Sequence, residues 1–207
     1  VDFDNVGANE FVVSNQVTFT AGPERRFDVI CYVNGIPFVV GEAKSPVRPA
    51  VTWVDGAIQV NSDYETNIPS FFVPNVLSFA TEGREFMYGT VQMPVNQWGP
   101  WRASGDVHLG LRAVIDSVTG MLAPSTLLDI ARNFTAYATD NRQRLIKLIC
   151  RYQQFEAVNL IVKRVIDGRV KKGLIWHFQG SGKSLLMVFA ANKLRMAPEL
   201  SNPTVMI

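Results

Sequence analysis

At 207 residues, 47% hydrophobic and 18% charged, the chain is long enough for one large domain, or one domain and part of another, and apolar enough to bury a core, which excludes an intrinsically disordered segment. A net charge of +2 neither demands nor excludes nucleic acid, because a local basic patch decides that and not the total. Cys31 and Cys150 both lie in apolar runs and point to buried thiols of a reducing compartment, and two histidines without C-x-x-C or H-E-x-x-H exclude a structural zinc site. No apolar run reaches the roughly 18 residues of a membrane span. The chain starts on Val1 without a signal peptide and closes on the apolar fragment Pro203 to Ile207, so both ends are expected to continue in a longer protein.

Taken in order, residues 10–20 read as β-rich, and Gly22-Pro23-Glu24 as a turn. Residues 26–46 carry two runs rich in Val, Ile, Phe and Tyr on either side of Asn34-Gly35, a hairpin signal. A helix is expected over 53–65, entered near Thr52 and ended by Ile68-Pro69. Residues 70–80 read as a buried strand broken by Pro74, and 84–93 as its partner. An irregular loop over 94–106, holding Gly105, precedes helices at 107–118 (His108 inside it) and 126–138, the second capped by Ser125. The apolar positions 145, 148, 149, 152, 155, 158, 161, 162 and 165 predict one long helix over 142–167, with Gly168 as its C-cap. A strand at Leu174 to His177, a Gly-rich loop, a helix over 183–196 and a strand from Thr204 complete the order.

Two stretches carry chemistry. In the hairpin, Asp28 on one strand and Glu42-Ala43-Lys44 on the next look like the active site of the PD-(D/E)xK nucleases. In that chemistry two acidic residues and a carbonyl hold Mg²⁺, the metal activates a water, and the lysine positions that water or offsets developing charge. Glu42 and Lys44, two apart on a strand, share one face. By pattern alone an ordinary surface salt bridge on a hairpin is as good a reading. The pairing adds a condition. With Asn34-Gly35 as a two-residue turn, partners sum to 69 (33 + 36), so Asp28 faces Gly41 and points away from Glu42. A metal site therefore requires a register shift of one, expected at Gly41 or in the turn. Gln59 and Tyr64, on the following helix, resemble the Gln-x-x-x-Tyr of RecB-like nucleases with one extra residue. A regular helix would set them roughly 140° apart, and only a π-turn or a helix end would bring both to the site.

The second stretch is Gln179-Gly180-Ser181-Gly182-Lys183-Ser184, between an expected strand and a helix. That is the context of a phosphate-binding loop, with backbone N–H groups and the helix N-terminus on the phosphates, Lys183 on the β- and γ-phosphates and Ser184 on Mg²⁺. The full G-x-x-x-x-G-K-[ST] form is not met, since His177 stands at its first position. Upstream, Gln154 in Arg151-Tyr152-Gln153-Gln154 looks like the adenine-reading glutamine of superfamily 2 helicases, a side chain able to donate and accept at the adenine N6/N7 edge. A solvated helix face is the plainer alternative. Arg48, Arg169, Lys171 and Lys172 serve equally as DNA phosphate contacts or as solvated charges.

Several phrases, taken together, are similar to the restriction (motor) subunit of type I restriction–modification enzymes. They are Asn15-Gln16, placed before the first strand, Arg26-Phe27-Asp28, Val33-Asn34-Gly35-Ile36-Pro37, Glu42-Ala43-Lys44-Ser45-Pro46 and Ile68-Pro69-Ser70-Phe71-Phe72, then Gly89-Thr90, Leu128 to Phe134, Arg151 to Gln154 and His177 to Ser184. The resemblance implies an α/β chain: a PD-(D/E)xK endonuclease-like mixed sheet flanked by helices (1–125), a helical connector (126–141) and the start of a RecA-like helicase motor domain (142–207). It implies a cytoplasmic, multi-subunit enzyme that cuts double-stranded DNA with Mg²⁺ while ATP drives DNA translocation, in complex with methyltransferase and specificity subunits. Asp28 and Glu42 would hold the metal, with Lys44, Gln59 and Tyr64 beside them; Gln154, Gly180, Ser181, Gly182, Lys183 and Ser184 would bind ATP. The sequence departs from the family in lacking Asp-Glu-x-His and a second motor domain, so the fragment alone is not expected to hydrolyse ATP. The acidic residue that the family carries on a helix before the first strand is not plainly present, Glu10 being the local acid. Two other readings stay open: a non-cutting DNA-binding or scaffold module with a degenerate nuclease site, and a P-loop ATPase with an unrelated β domain.

Overall fold

The computed structural model describes residues 1–48, 50–101, 110–141 and 143–206. Pro49, Arg142, Gly105, His108 and the start of the helix expected at 107 lie outside the described residues. The chain divides into two compact units, Val1–Ile149 and Cys150–Ile207. Among the described residues no single helix is long and apolar enough to cross a membrane.

The first unit is built on a six-stranded mixed sheet in sequential order. Strands β1 (Phe11–Phe19), β2 (Arg25–Val33) and β3 (Ile36–Ala43) form an antiparallel meander. Asn15-Gln16, expected before the first strand, lies inside β1. Asn34 and Gly35 both take positive φ, 51° and 76°, the conformation that a two-residue hairpin turn requires. The chain then crosses over through helical turns and returns as β4 (Leu77–Thr81), parallel to β3; β5 (Phe86–Gly89) and the two-residue β6 (Gly99–Pro100) pair antiparallel beyond it.

The β2–β3 hairpin carries the expected irregularity. Cys31 pairs with Val39 but Tyr32 with Pro37, so Phe38 is an extra, unpaired residue. The pairing sum rises from 69 at the turn to 70 beyond the bulge, and Asp28 comes next in register to Glu42. The bulge is not at Gly41 or in the turn, where it was expected. Pro37 has no N–H to give the ladder, so the interruption costs least beside it. The Phe38 carbonyl turns instead to the Val76 N–H, 2.7 Å away. Gly41 serves packing: a Cβ there would lie 2.1 Å from the Phe79 ring.

The crossover begins with helix α1 (Trp53–Ile58). Its N-cap is Thr52, whose side chain accepts from the Val54 N–H while Asp55 accepts from the Thr52 N–H at 2.7 Å. The helix widens into a π-helical turn over Gln59–Tyr64, resumes as α2 (Glu65–Asn67), and ends at Ile68-Pro69, where a 3₁₀ turn (Pro69–Phe72) begins. This segment packs on the sheet through a core of Phe27, Ile30, Val40, Val60, Tyr64 and Phe72. Phe27 stacks on Phe71 at 4.7 Å between ring centres and meets Tyr64 edge-on at 4.9 Å.

Helices α3 (Leu111–Met121) and α4 (Pro124–Asn133) follow. Pro124 opens α4, with Ala123 at the N-cap, so Ser125 lies in the first turn and not at the cap expected for it. The helix expected to run to 138 stops at Asn133. Strand β7 (Thr135–Thr139) pairs with β8 (Leu145–Ile149), so the helix predicted from 142 is a strand over its first part. Short apolar runs fit either period, and here the Asp140-Asn141 turn decides: Arg144 folds back onto the Asp140 carboxylate and closes a hairpin. Lys147 of β8 donates to the buried Asn75 carbonyl. In the second unit α5 (Tyr152–Asp167) is capped by Gly168 at φ 64°, as expected, and α6 (Lys183–Met196) packs against it. The strands expected at 174–177 and from 204 have no ladder partner among the described residues, and those segments are not strands. Neither cysteine forms a disulfide; Cys150 is buried, but Cys31 is only partly so.

Two stability outcomes follow from this packing. Gly41→Ala forces its methyl into the Phe79 ring, itself stacked on Phe86, and should cost about 1–3 kcal/mol in denaturant unfolding. Glu65 is buried, with one carboxylate oxygen accepting from the Gln92 N–H at 2.6 Å and the other unpartnered. Burial raises its pKa to about 7 against the lowering effect of the Gln92 and Asn61 hydrogen bonds. A folded-state pKa above the unfolded 4.5 means that its stability contribution is full below pH 4.5 and is lost as pH rises through 7. Glu65→Gln should therefore gain up to about 3 kcal/mol over the parent at pH 8 and much less at pH 5. Parallel pH profiles in melting curves of the two proteins would contradict this.

Candidate nuclease site and phosphate loop

Glu42 lies near the end of β3 and is 3% exposed. A lone carboxylate there would be severely destabilising, and its partners come from three directions. Lys44, two residues on, donates to Glu42 Oε1 at 2.7 Å. The Tyr64 hydroxyl lies 3.2 Å from Glu42 Oε2 and 3.0 Å from the Arg26 carbonyl. Gln59 accepts from Lys44 with its Oε1 and donates from Nε2 to the Tyr64 hydroxyl. The π-turn makes this possible, because i→i+5 bonding brings residues five apart onto one face. Close seating of α1 also matters: a Cβ on Gly56 would stand 3.3 Å from Glu42 Cγ.

Asp28 completes the group from β2. Its Oδ2 accepts from the Ala43 N–H at 3.0 Å, one residue past Glu42, and its Oδ1 from Gln16 Nε2 at 2.9 Å. Burial raises the Glu42 pKa, Lys44 opposes that, and the nearby Asp28 charge raises it again. Burial, then the Glu42 charge, also pushes the Tyr64 phenol up. The structure thus brings Asp28, Glu42, Lys44, Gln59 and Tyr64 together. Gln16 was not singled out as a site residue in the sequence, where it appears only inside the phrase Asn15-Gln16.

The donor set suits a hard divalent cation. Among the described residues no cluster of three or more His, Cys, Asp or Glu is assembled to hold a metal, so the protein would supply two carboxylates. Mg²⁺ is commonly held that way, by one or two carboxylates with waters and phosphate oxygens filling the rest. The mutual repulsion of Asp28 and Glu42 is the strain that such a cation would relieve.

In the second unit, Gly180 and Gly182 take φ 83° and 77°, a turn that side chains would strain, and Gly182 caps α6. Lys183 begins α6 and donates back across the loop to the carbonyls of Phe178 and His177, at 2.9 and 3.2 Å. Lys183 and Ser184 are exposed. Gln154 is not a solvated side chain. It is 2% exposed, accepts from the Arg151 N–H at 2.8 Å, and donates to the carbonyls of Gly182 and Ser181 at 3.0 and 3.3 Å. Its amide is committed to bracing the loop, and a Cβ on Gly182 would collide with it at 2.4 Å.

Comparison with known families matches the type I restriction enzyme R protein N terminus to residues 1–97 and the SWI2/SNF2 ATPase to residues 153–207. The type I restriction enzyme HindI endonuclease subunit of Haemophilus influenzae is 33% identical over 219 residues, covering all of this chain and 21% of that protein. The putative type I restriction enzyme MjaVIIP endonuclease subunit of Methanocaldococcus jannaschii is 34% identical over 210 residues, covering 93% of this chain and 19% of that protein. The chain thus spans about a fifth of the length of these curated relatives. One set of relatives runs continuously through both units, in the order of the hairpin and the Gly-rich loop, and the chain belongs to the family of type I restriction enzyme R proteins.

Proposed function

We propose that residues 1–125 form a PD-(D/E)xK nuclease domain that cuts double-stranded DNA with Mg²⁺. The second unit, Cys150–Ile207, begins a RecA-like motor that binds ATP and drives DNA translocation. The whole would act in the cytoplasm with methyltransferase and specificity subunits. The observation that carries the reading is the convergence of Glu42, Lys44, Gln59 and Tyr64 in one hydrogen-bonded group beside Asp28. An ordinary surface salt bridge needs no buried carboxylate and no π-turn.

A bound Mg²⁺ supplies an acidified water and positive charge on the scissile phosphate. Asp28 and Glu42 would hold it with carboxylate oxygens that hydrogen bonds already orient. Lys44, tied by two of its N–H groups to Glu42 and Gln59, keeps a third for the water or a phosphate oxygen. Gln59 and Tyr64 set the direction of Lys44 and Glu42. In the loop, Gly180, Ser181 and Gly182 would offer backbone N–H groups to ATP phosphates, Lys183, which here donates to its own loop carbonyls, would serve the β- and γ-phosphates, and Ser184 would hold the Mg²⁺ of the nucleotide. Gln154 reaches adenine only by releasing the carbonyls of Ser181 and Gly182.

Asp28→Ala in the full-length subunit, assembled with its partners, should lower DNA cleavage at least about 100-fold while ATP hydrolysis continues. Cleavage at the parental rate would show the catalytic assignment of Asp28 to be wrong and put the cutting outside this site. Lys183→Ala should abolish ATP hydrolysis and translocation and leave the melting of the nuclease unit unchanged. Hydrolysis at the parental rate would remove the phosphate-loop role.

A further inference from the structure

Gln16 is an anomaly in β1. Asn15 pairs with Val29 and Val17 with Phe27, and the register is the same on both sides, with partners summing to 44. No residue has been inserted, yet Gln16 stands between those pairs at φ 53°, outside the ladder. A left-handed glutamine in mid-strand is costly, and asparagine tolerates that conformation better. Asn15 next door would be the cheaper residue to bend, but it keeps regular pairing. What Gln16 has and asparagine lacks is one more methylene of reach. Its Nε2 donates to Asp28 Oδ1 at 2.9 Å, across the position where the ladder is broken. The Ala43 N–H holds the other oxygen, Oδ2, at 3.0 Å. The carboxylate is thus gripped on both oxygens from the two strands that flank β2.

We propose that Gln16 is a positioning residue for Asp28: its strained backbone aims the amide that fixes the plane of the carboxylate for a divalent cation shared with Glu42. The inference rests on the nuclease reading above. A carboxylate held on both oxygens keeps a free lone pair on each, so the hydrogen bonds orient it without blocking it. Such outer partners are worth about 10–100-fold in metal affinity or activity.

Gln16→Gly separates positioning from folding, because glycine takes φ 53° without strain and removes only the amide. In the full-length subunit, Gln16→Gly should melt at or above the parental temperature. Its affinity for Mn²⁺ without DNA or ATP, read by calorimetric titration, should fall about tenfold or more, and the Mg²⁺ midpoint for cleavage by the assembled complex should rise by a similar factor. Excess Mg²⁺ should restore most of the rate. Parental Mn²⁺ affinity and Mg²⁺ midpoint in Gln16→Gly, with Asp28→Ala inactive, would overturn the role of Gln16 and leave the nuclease reading standing. Parental cleavage by Asp28→Ala would overturn both.

Discussion

Glu42 is a carboxylate buried in the sheet, and the cost of holding it there organises the first unit. Desolvating such a group costs several kcal/mol even after relaxation, and only charge and hydrogen bonds placed on its oxygens recover it. Lys44 supplies the charge from the same strand, and Tyr64 supplies a hydroxyl from the helix above. Gln59 connects the two, so neither side chain is free to leave. The local compensation is incomplete: burial first, and then the nearby Asp28 charge, keep the Glu42 pKa raised against the pull of Lys44 and Tyr64.

The extent to which this was legible in the sequence follows from the range of each interaction. The hairpin turn is local chemistry, since Asn34-Gly35 is one of few pairs that accept positive φ twice, and it stands as read. The need for a register shift was also legible, because two carboxylates on opposite faces make no site. Its place was not, since Phe38 bulges through its exchange with Val76, nearly forty residues away in sequence, which no local pattern encodes. Gly41 looked like the flexible point but is glycine because Phe79 fills the space of a side chain. The β7–β8 hairpin was missed for a different reason: Leu145 to Ile149 fits both periods over so few residues. Gln16 carried no signal of its own, because its meaning lies in a backbone angle.

The Gly-rich loop before α6 shows the same limit from the other side. Its glycines and its lysine are placed by short-range rules, and the structure has them at a left-handed turn leading into α6. Gln154, 28 residues before Gly182, was read from its likeness to an adenine-reading glutamine, with the donor and acceptor capacity that the role needs. That capacity is real, but it is used on the loop's own carbonyls and on the start of α5. The side chain ties the two helices of the second unit to the loop between them.

Regular secondary structure could not have built the carboxylate site. A strand repeats every two residues, so an unbroken hairpin sets Asp28 against Gly41. A regular helix turns 100° per residue, so Gln59 and Tyr64 would point apart. Gln16, opposite Asp28 by register, leaves the edge-strand ladder at φ 53° and meets Asp28 through its side-chain amide. The structure breaks the pattern once in each element that meets the site: the bulge at Phe38, the π-turn over Gln59–Tyr64 and the left-handed residue at Gln16. Each break costs stability locally, and each delivers a side chain to the same pair of carboxylates. Irregularities scattered by drift would have no reason to converge on two oxygen-bearing side chains out of 207 residues.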